Sequence, residues 1–373
     1  MMIKNIGKTC NITTGKLDAN KAVINGEYPF FTCAPFPERI DNFAFDDDVV
    51  LVAGNNANGN FHVSRFKGKF NAYQRTYVLT AKKGEDIDYV YYSLKLELKR
   101  LRERSQGSQT KFLTMPILMN IVMNDIEYDD QKAISSILGR IDKKIELNNK
   151  INKELEALAK LIYDYWFVQF DFPDNNGKPY KSSGGKMVFN KNLKREIPVG
   201  WKSIPISNIL NIKTGKEDAN FANPNGKYAF FTCGEKILSC DDYAFEGKAI
   251  LLAGNGTFGI KRYAGKFNAY QRTYVLIPNK ESHFPLVYYS VKAQAQQLTD
   301  GSRGSIVKFI TIGDIKDINL ILPPDPSVCS TELLNNLFDE SDTLIKENEE
   351  LAKLRDWLLP MLMNGQVSVN EAN

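Results

Sequence analysis

The chain has 373 residues, 43% of them hydrophobic and 25% charged, with a formal net charge of +4. This is the composition of an ordinary globular protein with room for two or three cores, and it excludes a disordered or collagen-like chain. A charge this small permits a nucleic-acid partner without arguing for one, so any phosphate-binding surface has to come from local clustering. No run of about eighteen apolar residues is present, and the amino terminus MMIKNIGKTC lacks the apolar core of a secretory signal. The expectation is a cytoplasmic protein. Five cysteines (Cys10, Cys33, Cys233, Cys240 and Cys329) form no CxxC pair, and two histidines (His62 and His283) give no zinc-ligand spacing. Reduced thiols and no metal follow.

Taken in chain order, the first region opens with TGKLDAN (Thr14 to Asn20) and FFTC from Phe30. Strand-like runs come next at Val49 to Ala53 and Thr76 to Leu79, with a helical stretch from about Asp88 to Ser105. From Asp130 to Phe167 there is no proline, and apolar residues fall mostly three and four apart at Ile134, Leu138, Ile141, Ile145, Ile151, Leu155, Leu158, Ile162 and Tyr165. This is the seam of a coiled coil. Asp171 to Lys202 is rich in Pro, Gly, Asn and Ser and reads as a linker that re-enters a folded domain near Trp201.

The same order then repeats. TGKEDAN (Thr214), FFTC (Phe230) and AGN (Ala253, matching Ala53) recur 200 positions on, and GKFNAYQRTYVL recurs unchanged at Gly68 and Gly265, 197 positions on. Between Asn55 and Gly68 the first copy holds three more residues than the second, which accounts for the change of offset. Colinear matches with one indel mark a duplication covering most of the chain. The closing seam runs through Leu334, Leu337, Leu344, Leu351, Leu354, Leu358 and Met361. An asparagine interrupts each seam, Asn148 and Asn348. Two readings stay open for them: buried polar residues that set the helix register, or solvated rim positions.

The expected fold is α+β: two globular α/β domains in a pseudo-two-fold arrangement, separated by two long antiparallel coiled-coil helices. Expected boundaries are 1–125 and 201–325 for the globular heads, 126–170 and 326–373 for the helices, and 171–200 for the linker. A helix of roughly 32 residues is about 48 Å long, comparable to about fourteen base pairs of duplex. That length suits a ruler.

Three junctions carry a resemblance to a known family: LEALAKLIYDYWFVQFDFP (Leu155 to Pro173), GGKMVFNKNLKREIPVGWK (Gly184 to Lys202) and LAKLRDWLLPMLMNGQVSV (Leu351 to Val369). With the head, helix, head, helix order, the chain resembles the specificity subunit of type I restriction-modification systems over essentially its whole length. The resemblance implies that each head is a target-recognition domain reading one half of a bipartite site in double-stranded DNA. It also implies that the helices set the gap and dock two methyltransferase subunits, and that a motor-nuclease subunit joins the full complex. The chain itself is then non-catalytic and needs no cofactor; S-adenosylmethionine, ATP and Mg belong to the partners. The chain departs from the family's pattern before the first long helix, where MNDIEYDDQKAISSIL lacks the Pro-Pro pair that the second copy keeps at Pro323 and Pro324.

The residues bear on this independently. GNGTFG (Gly254 to Gly259) is a literal GxGxxG, yet the first copy reads GNNANG (Gly54 to Gly59) and IKRYAGKF follows the second, so a hairpin turn or a loop close to DNA explains the glycines better than a cofactor loop. No Walker A sequence and no repeated acidic cluster appears. Direct readout of bases needs Arg or Lys for guanine and Asn or Gln for adenine, with basic residues on phosphates. The duplicated motifs supply Lys16, Asn20, Asn71, Gln74, Arg75, Ser108 and Lys111 in the first head, and Lys216, Asn220, Asn268, Gln271, Arg272, Ser305 and Lys308 in the second. Asn55 and Asn255 of the AGN motifs join them. Phosphate candidates are Arg65, Lys67 and Lys69, with Lys261, Arg262 and Lys266 opposite. The competing reading is that identical residues hold the shared fold, and Phe70, Tyr73 and Tyr77 are expected in the core. Near-identical heads imply a nearly palindromic bipartite target, with differences assigned to the loops at Asn56 to Phe66 and Ala34 to Ile40 and their partners. A non-catalytic two-headed adaptor without DNA is the alternative.

Overall fold

The β-branched and aromatic runs of the first copy form a curled six-stranded sheet, and the second copy builds the same sheet again. The structure, a computed structural model, describes residues 2–55, 61–104, 112–256, 258–301, 309–324 and 331–369. It is α+β, as expected. The chain divides into two compact units, one of Met1–Asn148 with Glu347–Asn373 and one of Asn149–Lys346. The division falls inside both long helices, so each unit is a head together with part of each helix.

In the first unit β1 (Ile3–Asn5), α1 (Ile6–Thr9), β2 (Cys10–Thr14), β3 (Tyr28–Phe31), β4 (Glu38–Ile40), β5 (Phe45–Ala53), β6 (Val63–Ala72) and β7 (Thr76–Ala81) precede α2 (Ile87–Arg104), α3 (Met115–Met119) and β8 (Val122–Asn124). The sheet order is β2-β7-β5-β6-β3-β4, with β1 and β8 paired separately. All ladders are antiparallel except β3 with β6. Strand β6 pairs with β5 over Val63–Phe70 and with β3 at Asn71 and Ala72, and within it Gly68 adopts a φ of +124° that favours glycine. Gly265 does the same at +145°. This explains the first letter of the twelve-residue repeat.

Alternation in β5 serves two cores. Val50 and Val52 face α2 with Leu79, Tyr89, Val90 and Leu94, while Val49 and Leu51 face the hollow of the curled sheet with Phe31, Phe70 and Val78. The first core continues into the helices: Ile134 and Leu138 of α4 (Tyr128–Tyr163) and Leu359, Leu362 and Met363 of α7 (Thr331–Met363) pack on it. The polar seam of the first unit shows the helix direction. Asp142 meets Arg355 at 2.8 Å, Lys144 meets Glu347 at 3.4 Å, and Asn148 Nδ2 donates to Asn348 Oδ1 at 2.9 Å, so one number rises as the other falls and the helices run antiparallel. Asn148 is fully buried, which removes the rim placement for that residue. Tyr92 of α2 donates to Asp142 at 2.8 Å, tying the head to the helix pair.

The second unit holds a hairpin, β9 (Met187–Asn190) with β10 (Arg195–Pro198), and β11 (Lys202–Pro205) paired with β18 (Asn319–Leu322). Its sheet, β12-β17-β15-β16-β13-β14, is made of β12 (Leu210–Thr214), β13 (Tyr228–Phe231), β14 (Leu238–Cys240), β15 (Phe245–Ala253), β16 (Ile260–Ala269) and β17 (Thr273–Pro278), covered by α5 (Phe284–Gly301) and α6 (Ile312–Lys316). The stretch read as a linker is ordered at both ends. Phe167, Phe170, Phe172 and Ile197 are buried, and Phe172 stacks on Trp201 at 5.0 Å, because its aromatics have core to join despite the Pro and Gly around them. Asp171 accepts from both the N–H and the hydroxyl of Ser182 at 2.7 Å, bonds that hold its carboxyl below the usual range.

Burial also fixes a pH response. Cys10 lies in the first core, and desolvation pushes its thiol up to about 11. The fold holds the neutral thiol, while the unfolded chain ionises near pH ~8.5. Its contribution is therefore complete below that pH and is lost as pH rises towards about 11. Cys10→Ala should flatten that part of the stability profile by up to about 3 kcal/mol, read from thermal melts at pH 8 to 11.

Candidate nucleic-acid interface

Four segments of the first head converge on one turn. The Ala72–Tyr73–Gln74–Arg75 turn receives the loop after β2, since Gly15 N donates to Thr76 O at 3.2 Å and Gln74 N to Leu17 O at 2.9 Å. The end of β3 joins it: Tyr73 N and the Thr76 hydroxyl both donate to Phe31 O, at 2.9 and 3.2 Å. Gly54 N donates to Arg75 O at 2.8 Å, and Leu113 N donates in turn to Gly54 O at 2.9 Å. Tyr77 locks the last of these by donating to Leu113 O at 2.8 Å. The backbone polar groups are thus consumed by one another, which leaves side chains to face outward.

The second head repeats the network bond for bond. Gly215 N to Thr273 O is 3.1 Å, Gln271 N to Glu217 O 2.9 Å, Tyr270 N to Phe231 O 2.8 Å, Gly254 N to Arg272 O 2.8 Å and Ile310 N to Gly254 O 2.9 Å. What projects from the first cluster is Lys16, Asn20, Gln74, Arg75 and Phe112, all exposed; from the second, Lys216, Asn220, Gln271, Arg272 and Phe309. Each set offers two cations, two carboxamides and one aromatic ring. Asp18 holds the Gln74 amide at 2.8 Å, whereas Asp218 turns to accept from Ala219 N at 2.7 Å.

This duplicated arrangement has known counterparts. Residues 1–157 and 198–351 match the family described as the type I restriction modification DNA specificity domain. The chain belongs to that family. Among curated relatives it is 38% identical over 179 residues to the type I restriction enzyme EcoDI specificity subunit of Escherichia coli, a match covering 46% of this chain and 40% of that one. The match thus spans about two fifths of that relative's length. It is 26% identical over 322 residues to the MjaIX specificity subunit of Methanocaldococcus jannaschii, covering 78% of this chain and 71% of the relative. The crystal structure of a type I restriction-modification S subunit from M. genitalium shares the fold, with a TM-score of 0.64 at 17% identity over 97% of this chain and 96% of that one.

Within the family's fold, the sequence-derived candidates separate into three groups. Lys16, Asn20, Gln74 and Arg75, with Lys216, Asn220, Gln271 and Arg272, are brought together and exposed, and Asn55 and Asn255 sit half-buried beside them, bridged to Phe112 and Phe309. Four others are engaged by the protein itself. Asn71 and Asn268 are each 3% exposed. Each carboxamide oxygen accepts from the next backbone N–H at 2.9 Å, and Asn71 Nδ2 also donates to Asn42 Oδ1 at 2.9 Å. Arg65 is engaged by Asp48 and by Asp88, the latter at 2.7 Å. Arg262 is buried between Asp342 at 3.2 Å and Glu156 at 3.7 Å, over the Phe338 ring at 4.1 Å. A guanidinium with two carboxylates has no charge to spare for phosphate.

Among the remaining lysines, Lys67 is exposed but 3.6 Å from Asp48, and Lys69 and Lys266 lie over Phe43 and Tyr243 at 4.7 and 4.6 Å. Lys261 is half-buried, donates to Gly234 O at 2.6 Å, and has its pKa lowered by that burial. Ser108, Lys111, Ser305 and Lys308 lie outside the described residues. Of the expected core aromatics, Phe70 is fully buried, while Tyr73 and Tyr77 are half-buried. GNGTFG joins the antiparallel β15 and β16, with no helix after it. The residues missed from sequence are Phe112 and Phe309. Their signal was an aromatic conserved between the copies directly before a residue destined for the core.

Proposed function

We propose that this chain is the DNA-recognition subunit of a type I restriction-modification complex, that each head reads one half of a bipartite site in double-stranded DNA, and that the chain performs no chemistry itself. The observation that carries this is the duplicated cluster: in each head Lys, Asn, Gln and Arg side chains of the kinds that pair with base edges and phosphates project from one rigid set of turns. Identical clusters support similar half-sites in inverted orientation. The loops that differ, with Ala34 to Ile40 in one head against Gly234 to Leu238 in the other, are where any departure from a palindrome arises.

The long helices are proposed to set the gap and to dock two methyltransferase subunits, which would supply S-adenosylmethionine-dependent adenine methylation. A motor-nuclease subunit using ATP and Mg would complete restriction. Apolar side chains left exposed on the helices support a docking role: Leu147, Leu354 and Trp357 in the first unit, and Ile151, Leu158, Leu161 and Ile345 in the second. The paired asparagines are proposed to hold the helix register, since any slip would leave the Asn148 amide buried without Asn348.

The test is co-expression with the neighbouring methyltransferase subunit and genome-wide mapping of methylated adenine by single-molecule sequencing. A bipartite motif with a fixed gap and similar inverted halves is the expected result. Unrelated halves would discard the near-palindrome, and no motif would discard the DNA-reading assignment.

A further inference from the structure

Phe112 and Phe309 occupy equivalent places in the two clusters and stay 53% and 68% exposed. Their neighbours Leu113 and Ile310 are buried, and the backbone between is fixed: Leu113 N and Ile310 N each donate to a glycine carbonyl at 2.9 Å, and Tyr77 and Tyr274 each bond the same residue's carbonyl at 2.8 Å. In a segment so extended, successive side chains point to opposite faces, so anchoring Leu113 inward holds Phe112 outward. The Arg75 guanidinium stands 5.9 Å from the Phe112 ring centroid. The two residues just before the shared Lys-Phe pair differ between copies, Gln109 and Thr110 against Ile306 and Val307, while the exposed phenylalanine is the same. Neither ring fills a core. Both are set beside the cations and carboxamides of the same face.

We propose that Phe112 and Phe309 are base contacts, each ring packing on a base of the half-site under its own head. This rests on the reading above that the duplicated face meets DNA. A phenyl ring offers no hydrogen bond and no charge, so it contributes only against an apolar partner. In DNA that partner is the flat face of a base at an opened step or the methyl group of thymine. Sequence enters through the ease of opening the step in the first case and through the thymine methyl in the second, and in neither is a counterion released.

The test uses the full chain co-purified with its methyltransferase subunit, on duplexes carrying the mapped site and on random duplex. Phe112→Ala and Phe309→Ala should each weaken specific binding about tenfold, and the pair about a hundredfold. Random-duplex affinity, the salt dependence and the melting temperature should stay as in the parent, which a merely structural role would not allow. Two substituted duplexes identify the partner. 2-Aminopurine that brightens on binding only when the ring is present marks an opened step; deoxyuridine in place of a thymine, costing the parent but not the variant, marks the methyl. Variants that bind the specific site like the parent, or lose specific and random binding alike, overturn the proposal. Arg75→Ala with Arg272→Ala is the control. If it abolishes binding while the phenylalanine variants are neutral, only this proposal fails; if it too is neutral, the assignment of the face to DNA fails with it.

Discussion

Gly15→Ala is expected to disable the first head, and Gly215→Ala the second, although neither glycine has an unusual backbone angle. A methyl group on Gly15 would sit 1.9 Å from Ala72 O and 2.5 Å from Tyr73 O; on Gly215 it would sit 1.9 Å from Ala269 O. The obstacle is backbone carbonyl, which no rotamer change can clear. The loop must therefore withdraw, breaking the bonds from Gly15 N to Thr76 O and from Gln74 N to Leu17 O. Overpacking and two lost hydrogen bonds together cost about 3 kcal/mol. The same withdrawal separates Lys16 from Gln74 and Arg75. On the proposed reading, in which both half-sites must be engaged, either single variant should lower methylation at the proposed bipartite site by about a hundredfold, one decade per 1.4 kcal/mol. Restriction-protection assays read the loss, and hydrogen exchange should place the disturbance in one head. Normal methylation by the complex that carries Gly15→Ala would remove this loop from the proposed recognition surface.

That outcome bears on how function can be read from a duplicated sequence. TGK stood out as the source of a DNA-reading lysine, yet its glycine is demanded by packing while the lysine beside it is exposed. Within NAYQR the two roles alternate. Asn71 closes the turn from inside while Gln74 and Arg75 face out, and no pattern in five letters separates an asparagine that caps from one that contacts. Duplication preserves both kinds equally, so repetition marks a shared exposed face without sorting its residues. The architecture was more legible, because periodicity of apolar residues is a direct record of burial: α4 and α7 fall where the seams lie, and α2 at Ile87–Arg104 meets the helical stretch expected from Asp88. The hairpin β9–β10 was not legible, since its turn-rich composition hides two short strands whose neighbours are supplied only by the fold.

Arg262 shows how far identical positions can diverge, and its removal should cost far more than removal of its counterpart in the first unit. Its counterpart Arg65 pairs with Asp48 of β5 and Asp88 of α2, both within its own head. Arg262 instead reaches Glu156 of α4 and Asp342 of α7, also donates to the Ser341 hydroxyl at 3.2 Å, and lies against Tyr288 and Phe338. One side chain, 6% exposed, thus joins sheet, α5 and both helices. In the first unit that task falls to Tyr92, Asp142 and Arg355, so Arg65 is free of it. Truncating a buried partner strands a carboxylate as well as losing contacts, and with Asp342 and Glu156 partly solvated the cost should be about 3 kcal/mol for Arg262→Ala. Arg65→Ala should cost about 1 kcal/mol. Arg262→Met with Asp342→Leu should recover most of the loss, because packing against the rings returns, the more buried carboxylate is gone, and Glu156, about half exposed, is left to water. Urea melts of the variants, with hydrogen exchange on α4 and α7, distinguish the cases. Equal losses for Arg65→Ala and Arg262→Ala would mean that the shared intra-sheet position, and not the bridge to the helices, is what the arginine stabilises.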